Sequence, residues 1–161
     1  MSEIRRDDVH DYRPGPAAER PLEDGEPVNA VFLADRRRYW TDHAAMAAIG
    51  VAALLAILPW VGKADQIPVA ALAVVLGLGL RGLYFRSEAF ARRWQLTDRR
   101  LIGPQGRQVM LLEIAAVRRL FGDVQIVTNG GAKHLIKHLA DAEAVMRQIE
   151  AAKAARALVA R

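Results

Sequence analysis

The sequence contains no cysteine, which excludes disulfides and thiolate metal sites. Aromatic residues make up only 6% of it. They are not interleaved with basic residues in the way that stacking on nucleic-acid bases requires, so nucleic acid has only charge in its favour and is not expected as a partner. No Walker-type or dinucleotide-binding motif occurs; Gly77, Gly79 and Gly82 cluster in an apolar run, where they serve packing. There is no catalytic constellation either. Asp98, Glu113 and Asp123 are dispersed among turns and strands, and His10 and His43 are isolated. His134 and His138 have the spacing of a helical metal pair, but they fall on an expected strand. Four residues of strand span about 13 Å, too far for one ion. The expectation is a non-enzyme with no metal and no cofactor.

Long uncharged stretches are what the sequence does have. Ala44 to Gly62 is a run of 19 residues without a charge. As a helix it reaches roughly 28 Å, close to the ~30 Å of a bilayer core. A buried helix of a soluble protein would carry a polar stripe, which this run lacks. A second apolar run, Ile67 to Phe85, follows the short link Lys63-Ala64-Asp65-Gln66. Together they predict a transmembrane helical hairpin over 44–85. The first run begins too far into the chain, and is too soon followed by another, to be a signal peptide.

Basic residues flank the outer ends of the pair: Arg36, Arg37 and Arg38 before it, Arg86, Arg92 and Arg93 after it. The link has only Lys63. The positive-inside rule then places both termini in the cytoplasm, and Tyr39, Trp40, Trp60, Tyr84 and Phe85 suit the interfaces. Ala44, Ala48, Ala52 and Ala56 recur every four residues, a ridge that would allow close helix approach, with Ala73 and Gly77 as its counterpart. The abundance of alanine produces the same pattern without a packing role. Pro59, in the last turn of the first span, is expected only to bend its exit. Arg81 lies near the cytoplasmic end of the second span, where snorkelling to the headgroups is favoured over an ion pathway.

Charge divides the rest of the chain. Net charge is +5 overall, but residues 1–43 carry 7 Lys/Arg against 10 Asp/Glu, whereas residues 86–161 carry 14 against 7. Residues 1–27, rich in charge and proline, are expected to be a flexible tail. A juxtamembrane segment, 28–43, opens with the apolar patch Val28 to Leu33, which has the pattern of an edge strand. Beyond the hairpin, short alternating runs are separated by the breakers Gly103-Pro104-Gln105-Gly106, Gly122-Asp123 and Asn129-Gly130-Gly131. The last strand is expected at about 133–138. A helix follows, with Asp141 as N-cap and Val145, Ile149 and Ala152 on one face.

The runs WQLTDRRLIG (Trp94–Gly103), LLEIAAV (Leu111–Val117), GDVQIVTNGG (Gly122–Gly131) and DAEAVMRQI (Asp141–Ile149), with Gly25-Glu26 ahead of the first span, resemble bacterial pleckstrin-homology (PH) domains attached to membrane helices. The resemblance covers roughly residues 24–155. It implies an α+β fold: a transmembrane hairpin, then a small antiparallel PH-like sheet over 88–157 capped by a C-terminal helix. Only about 65 residues lie between Glu88 and Ala152, so the sheet is expected to be abbreviated, or completed by the N-terminal patch or a neighbouring subunit. Family members in membrane-complex assembly imply a protein of the bacterial inner (plasma) membrane that binds another membrane protein or itself. An anionic-lipid sensor is the alternative. Its surface would comprise Arg36, Arg37, Arg38, Arg86, Arg92, Arg93, Arg118 and Arg119, near headgroups that attract each by ~1 kcal/mol. Setting topology alone would explain the juxtamembrane members. Arg99, Arg100 and Arg107 are further candidates to face solvent, lipid or protein. A small transport or channel subunit, resting on Arg81, is the least favoured reading.

Overall fold

Alternation in VNAVFL, RWQLT and DVQIVT gives strands one inward apolar face. The computed structural model describes residues 19–160 and has the expected α+β architecture. In chain order the elements are β1 (Val28–Leu33), α1 (Arg36–Trp60), α2 (Ile67–Ala91), β2 (Arg93–Thr97), β3 (Arg100–Ile102), β4 (Gln108–Met110), β5 (Ile114–Leu120), β6 (Asp123–Thr128), β7 (Lys133–Ile136) and α3 (Ala142–Val159). Two antiparallel sheets form, a four-stranded one in the order β1-β2-β3-β4 and a three-stranded one in the order β5-β6-β7. The N-terminal patch thus completes the first sheet, and a neighbouring subunit is not needed for it.

The helical hairpin is inserted between two paired strands. Phe32 of β1 stands opposite Trp94 of β2, and Leu33 opposite Arg93. Asp35 caps α1 by accepting from the Arg38 amide at 2.7 Å. Only Arg92 separates α2 from β2. Both helices run longer than their uncharged cores: 25 residues each, or about 37 Å. Helix α1 runs through Pro59 and stops at a Schellman motif, in which Gly62 (φ 73°) donates to Pro59 O and Lys63 to Leu58 O. The left-handed conformation there favours glycine. Each helix is long and apolar enough to cross a membrane, with mean hydropathy 1.8 over its best window and only 6% of that window buried. The apolar side chains therefore face outward rather than into a core.

The core lies between the two sheets and α3. Trp94, Leu96, Leu101, Ile114 and Ile126 are buried with Val145 and Ile149 of α3. Asp141 caps α3 as expected, accepting from the Ala144 amide at 2.9 Å. Gln105 and Gly106, both at positive φ, turn β3 into β4. Strand β7 ends at Ile136, two residues earlier than the alternation suggests, because His138 adopts a left-handed φ of 57°.

Three expectations need correction. Residues 1–18 of the expected tail lie outside the described residues, but the segment from Glu19 to Glu26 is strapped to the first sheet. Glu19 binds Arg93 and Gln95, Glu23 binds Arg99, and Glu26 is buried. Second, the small-residue ridge is not the seam of the hairpin: Ala44, Ala48, Ala52, Ala56, Ala73 and Gly77 are all exposed. The seam runs along Ala47, Gly50, Val51 and Leu54 against Ala71, Val74, Leu78 and Gly82, the half-buried or buried positions. A four-residue repeat drifts around the helix, so the abundance of alanine, not packing, explains the ridge. Third, Arg100 faces neither solvent nor lipid; it is buried.

Candidate functional site

Where the hairpin meets the sheets, a cluster centred on Tyr39 fixes their relation. Its buried hydroxyl donates to the Gly82 carbonyl oxygen at 2.7 Å, tying α1 to α2. Its ring contacts those of His43, Phe90 and His138, with centroids 4.4, 5.1 and 5.0 Å away. A Cβ on Gly82 would lie 2.9 Å from the Trp40 ring and 3.0 Å from His43, so only glycine permits this approach. Asp42, one turn further along α1, lies 2.8 Å from His138 Nδ1 and 3.0 Å from Arg38 Nε. The His138 amide donates to Asp123 at 2.8 Å, and its carbonyl oxygen accepts from the Asp35 amide at 2.7 Å. The residues after β7 are thereby bolted to the first turns of α1. Nothing in the spacing of Asp42 and His138, 96 residues apart, announces their pairing.

A second cluster holds the strap. Glu26, whose side chain is fully buried, meets Arg100 at 2.6 Å. The hydrogen bonds from Arg100 hold the Glu26 carboxyl down at about 2, against an ordinary 4.5, in spite of burial that opposes ionisation. Arg100 also donates to Gln108 Oε1 and to the Pro21 carbonyl oxygen. Its hydrogen bonds to Glu26 raise the Arg100 pKa above its ordinary value. This pair is structural, since the guanidinium has no free face for a ligand.

Two of the open grooves bear on binding. One, of about 640 Å³, lies between β1 and α3 and is lined by Asn29, Ala30, Val31, Phe32 and Leu96 on one side and by Val145, Gln148, Ala151, Ala152 and Ala155 on the other. No charged residue lines it. Strand β1 pairs only with β2 among the described residues, so the backbone groups along its other edge are available for pairing. The other groove, of about 450 Å³, runs beneath the hairpin and is lined by Phe32, Trp94, Arg92, Arg107, Lys133 and Lys137 with no carboxylate. Burial and the charge of Arg107 push the nearby His134 pKa down.

Of the eight arginines expected to form a surface, half are engaged by carboxylates. Arg38, Arg92, Arg93 and Arg119 are paired with Asp42, Glu88, Glu19 and Glu143 respectively. Arg36 lies 5.6 Å from the Phe90 ring, and Arg37, Arg86 and Arg118 are exposed. Arg81 is exposed, 5.7 Å from the Phe85 ring. Among the described residues no cluster of His, Asp and Glu has the arrangement of a metal site. The β1–α3 groove escaped sequence reasoning because α3 follows β1 by more than a hundred residues; the only local sign was the small-residue run Ala151, Ala152, Ala154, Ala155. No protein-family model matches the chain, and no curated protein or solved structure shows significant similarity to it.

Proposed function

We propose that the protein is a non-enzymatic interaction module of the bacterial inner membrane. In this reading α1 and α2 cross the bilayer as a hairpin, both termini and the two sheets lie in the cytoplasm, and the module docks an extended apolar segment of another membrane protein. The observation that carries it is the uncharged groove beside the open edge of β1. An extended chain laid there would add a strand to the sheet, with alternate side chains resting against α3. Two antiparallel sheets of four and three strands followed by a helix support the PH-like character of the module. Assembly of a membrane complex is the natural task of a docking strand held at the bilayer surface.

A photo-crosslinking residue in place of Val31, in cells, tests this. The expected result is an adduct with another membrane protein that disappears when Ala155→Glu places a charge in the groove. An adduct of twice the chain mass would assign the groove to self-assembly. Absence of any adduct, with Val31 variants correctly inserted, would sink the docking role.

The cation-lined groove beneath the hairpin favours a second reading, an anionic-lipid sensor, because Arg107, Lys133 and Lys137 line it beside the Glu88-paired Arg92 and no carboxylate is among its lining residues. Phosphatidylglycerol should then raise the melting temperature of nanodisc-held protein, and Lys133→Glu with Lys137→Glu should remove the increment. A melting temperature indifferent to lipid charge would end this reading.

A further inference from the structure

The turn between β5 and β6 carries the most exposed large apolar side chain among the described residues: Phe121, at 92%. Leu120 beside it is also exposed. Phe121 has φ 50° and Gly122 φ 92°, over the closing pair Leu120–Asp123, as in a type I′ turn. Asparagine or glycine would satisfy that turn without strain, so the turn itself gives no reason for phenylalanine.

The turn is held against the hairpin. Arg38 of α1 donates from Nη2 to the Phe121 carbonyl oxygen at 2.6 Å, and the same guanidinium packs on Gly122. Leu120 and Phe121 share the walls of a cleft of about 500 Å³ with His43, Met46, Arg81 and Phe85. Met46 belongs to the uncharged run that starts at Ala44, and Arg81 and Phe85 to the end of the second apolar run. The tip therefore stands level with the module-side ends of the two apolar helices. Arg118 and Arg119 precede it on β5, both exposed, and Arg119 reaches Glu143. An apolar tip backed by basic residues is the composition of an interfacial anchor.

We infer that Leu120 and Phe121 form a third membrane contact, entering the interfacial layer of the leaflet on the module's side, with Arg118, unpaired among the described residues, toward anionic headgroups. The inference rests on α1 and α2 spanning the bilayer. The tip then fixes the height and tilt of the module over the membrane, which two helices alone leave to the junction.

Because the chain has no cysteine, single spin labels can be placed without background in the full-length protein in phosphatidylglycerol-containing nanodiscs. Phe121→Cys and Leu55→Cys should both collide with oxygen several-fold more than with a water-soluble nickel chelate, and Asn129→Cys, at the far end of β6, should do the reverse. Leu120→Cys provides the same readout if a label at the left-handed position prevents folding. Nickel-dominated collisions at 120 and 121, with Leu55→Cys oxygen-dominated, would overturn the tip's membrane contact while leaving the span intact. Labels at 120 and 121 shielded from both reagents would place protein over the tip and overturn it equally. Nickel-dominated collisions at Leu55→Cys would remove the spanning reading, and the inference with it.

Discussion

Arg100 meets Glu26 with two nitrogens, Nη2 at 2.6 Å and Nε at 2.9 Å, across 74 residues of sequence. A paired charge removed from water is tolerable; an unpaired one is not. Arg100→Ala should therefore destabilise the protein by about 3–5 kcal/mol, whereas Glu26→Leu combined with Arg100→Met should be close to neutral. Chemical unfolding in detergent, followed by the fluorescence of the buried Trp94, measures both.

The same pair sets an acid limit. The Glu26 carboxyl is held at about 2 in the folded chain against 4.5 ordinarily, so its folded value is the depressed one. Its contribution is full above about 4.5 and is lost as pH falls toward about 2. That difference corresponds to roughly 3 kcal/mol. Glu26→Gln should flatten the stability profile across this window, and an unchanged slope would show that other carboxyls dominate it.

Gly82 and Gly77 should behave oppositely. A Cβ at Gly82 collides with Trp40 and His43, while one at Gly77 meets nothing within 4 Å. Gly82→Leu is expected to cost about 1–3 kcal/mol through overpacking and to separate the Tyr39 hydroxyl from its acceptor. Gly77→Leu should leave the melting temperature in detergent unchanged.

Asp42 and His138 clamp the sheets to the hairpin. Asp42→Ala removes the partner of both His138 and Arg38, and the expected cost is about 1 kcal/mol at this half-buried site. Hydrogen exchange should quicken at the Asp35 amide, which bridges the two parts by donating to the His138 carbonyl oxygen, while the Leu101 amide stays protected. Equal acceleration everywhere would mean that the clamp supports global stability rather than the junction.

What the sequence made legible followed from local rules. Uncharged length marked the two helices, Asp141 marked the start of α3, and the glycine-rich breakers marked the turns around β4, β6 and β7. What escaped depended on distant partners. The carboxylate of Glu26 reads as tail charge until Arg100 meets it, and Arg100 reads as surface charge for the same reason. The seam of the hairpin was misassigned because an alanine repeat carries no directional information, whereas the aromatic cluster at Tyr39 dictates which faces meet. Neither open groove was legible, since each joins elements remote in the chain.

Placing the hairpin between paired strands also constrains biosynthesis. Strand β1 leaves the ribosome before either helix, and β2, its partner, follows only after both. The four-stranded sheet therefore cannot close until the hairpin has been made. If α1 and α2 span the bilayer as proposed, a copy with a single crossing would leave β1 and β2 on opposite sides of it, unable to pair. In the proposed topology, sheet closure thus reports on insertion, because an unclosed copy leaves Phe32 and Trp94, which pair across β1 and β2, without each other.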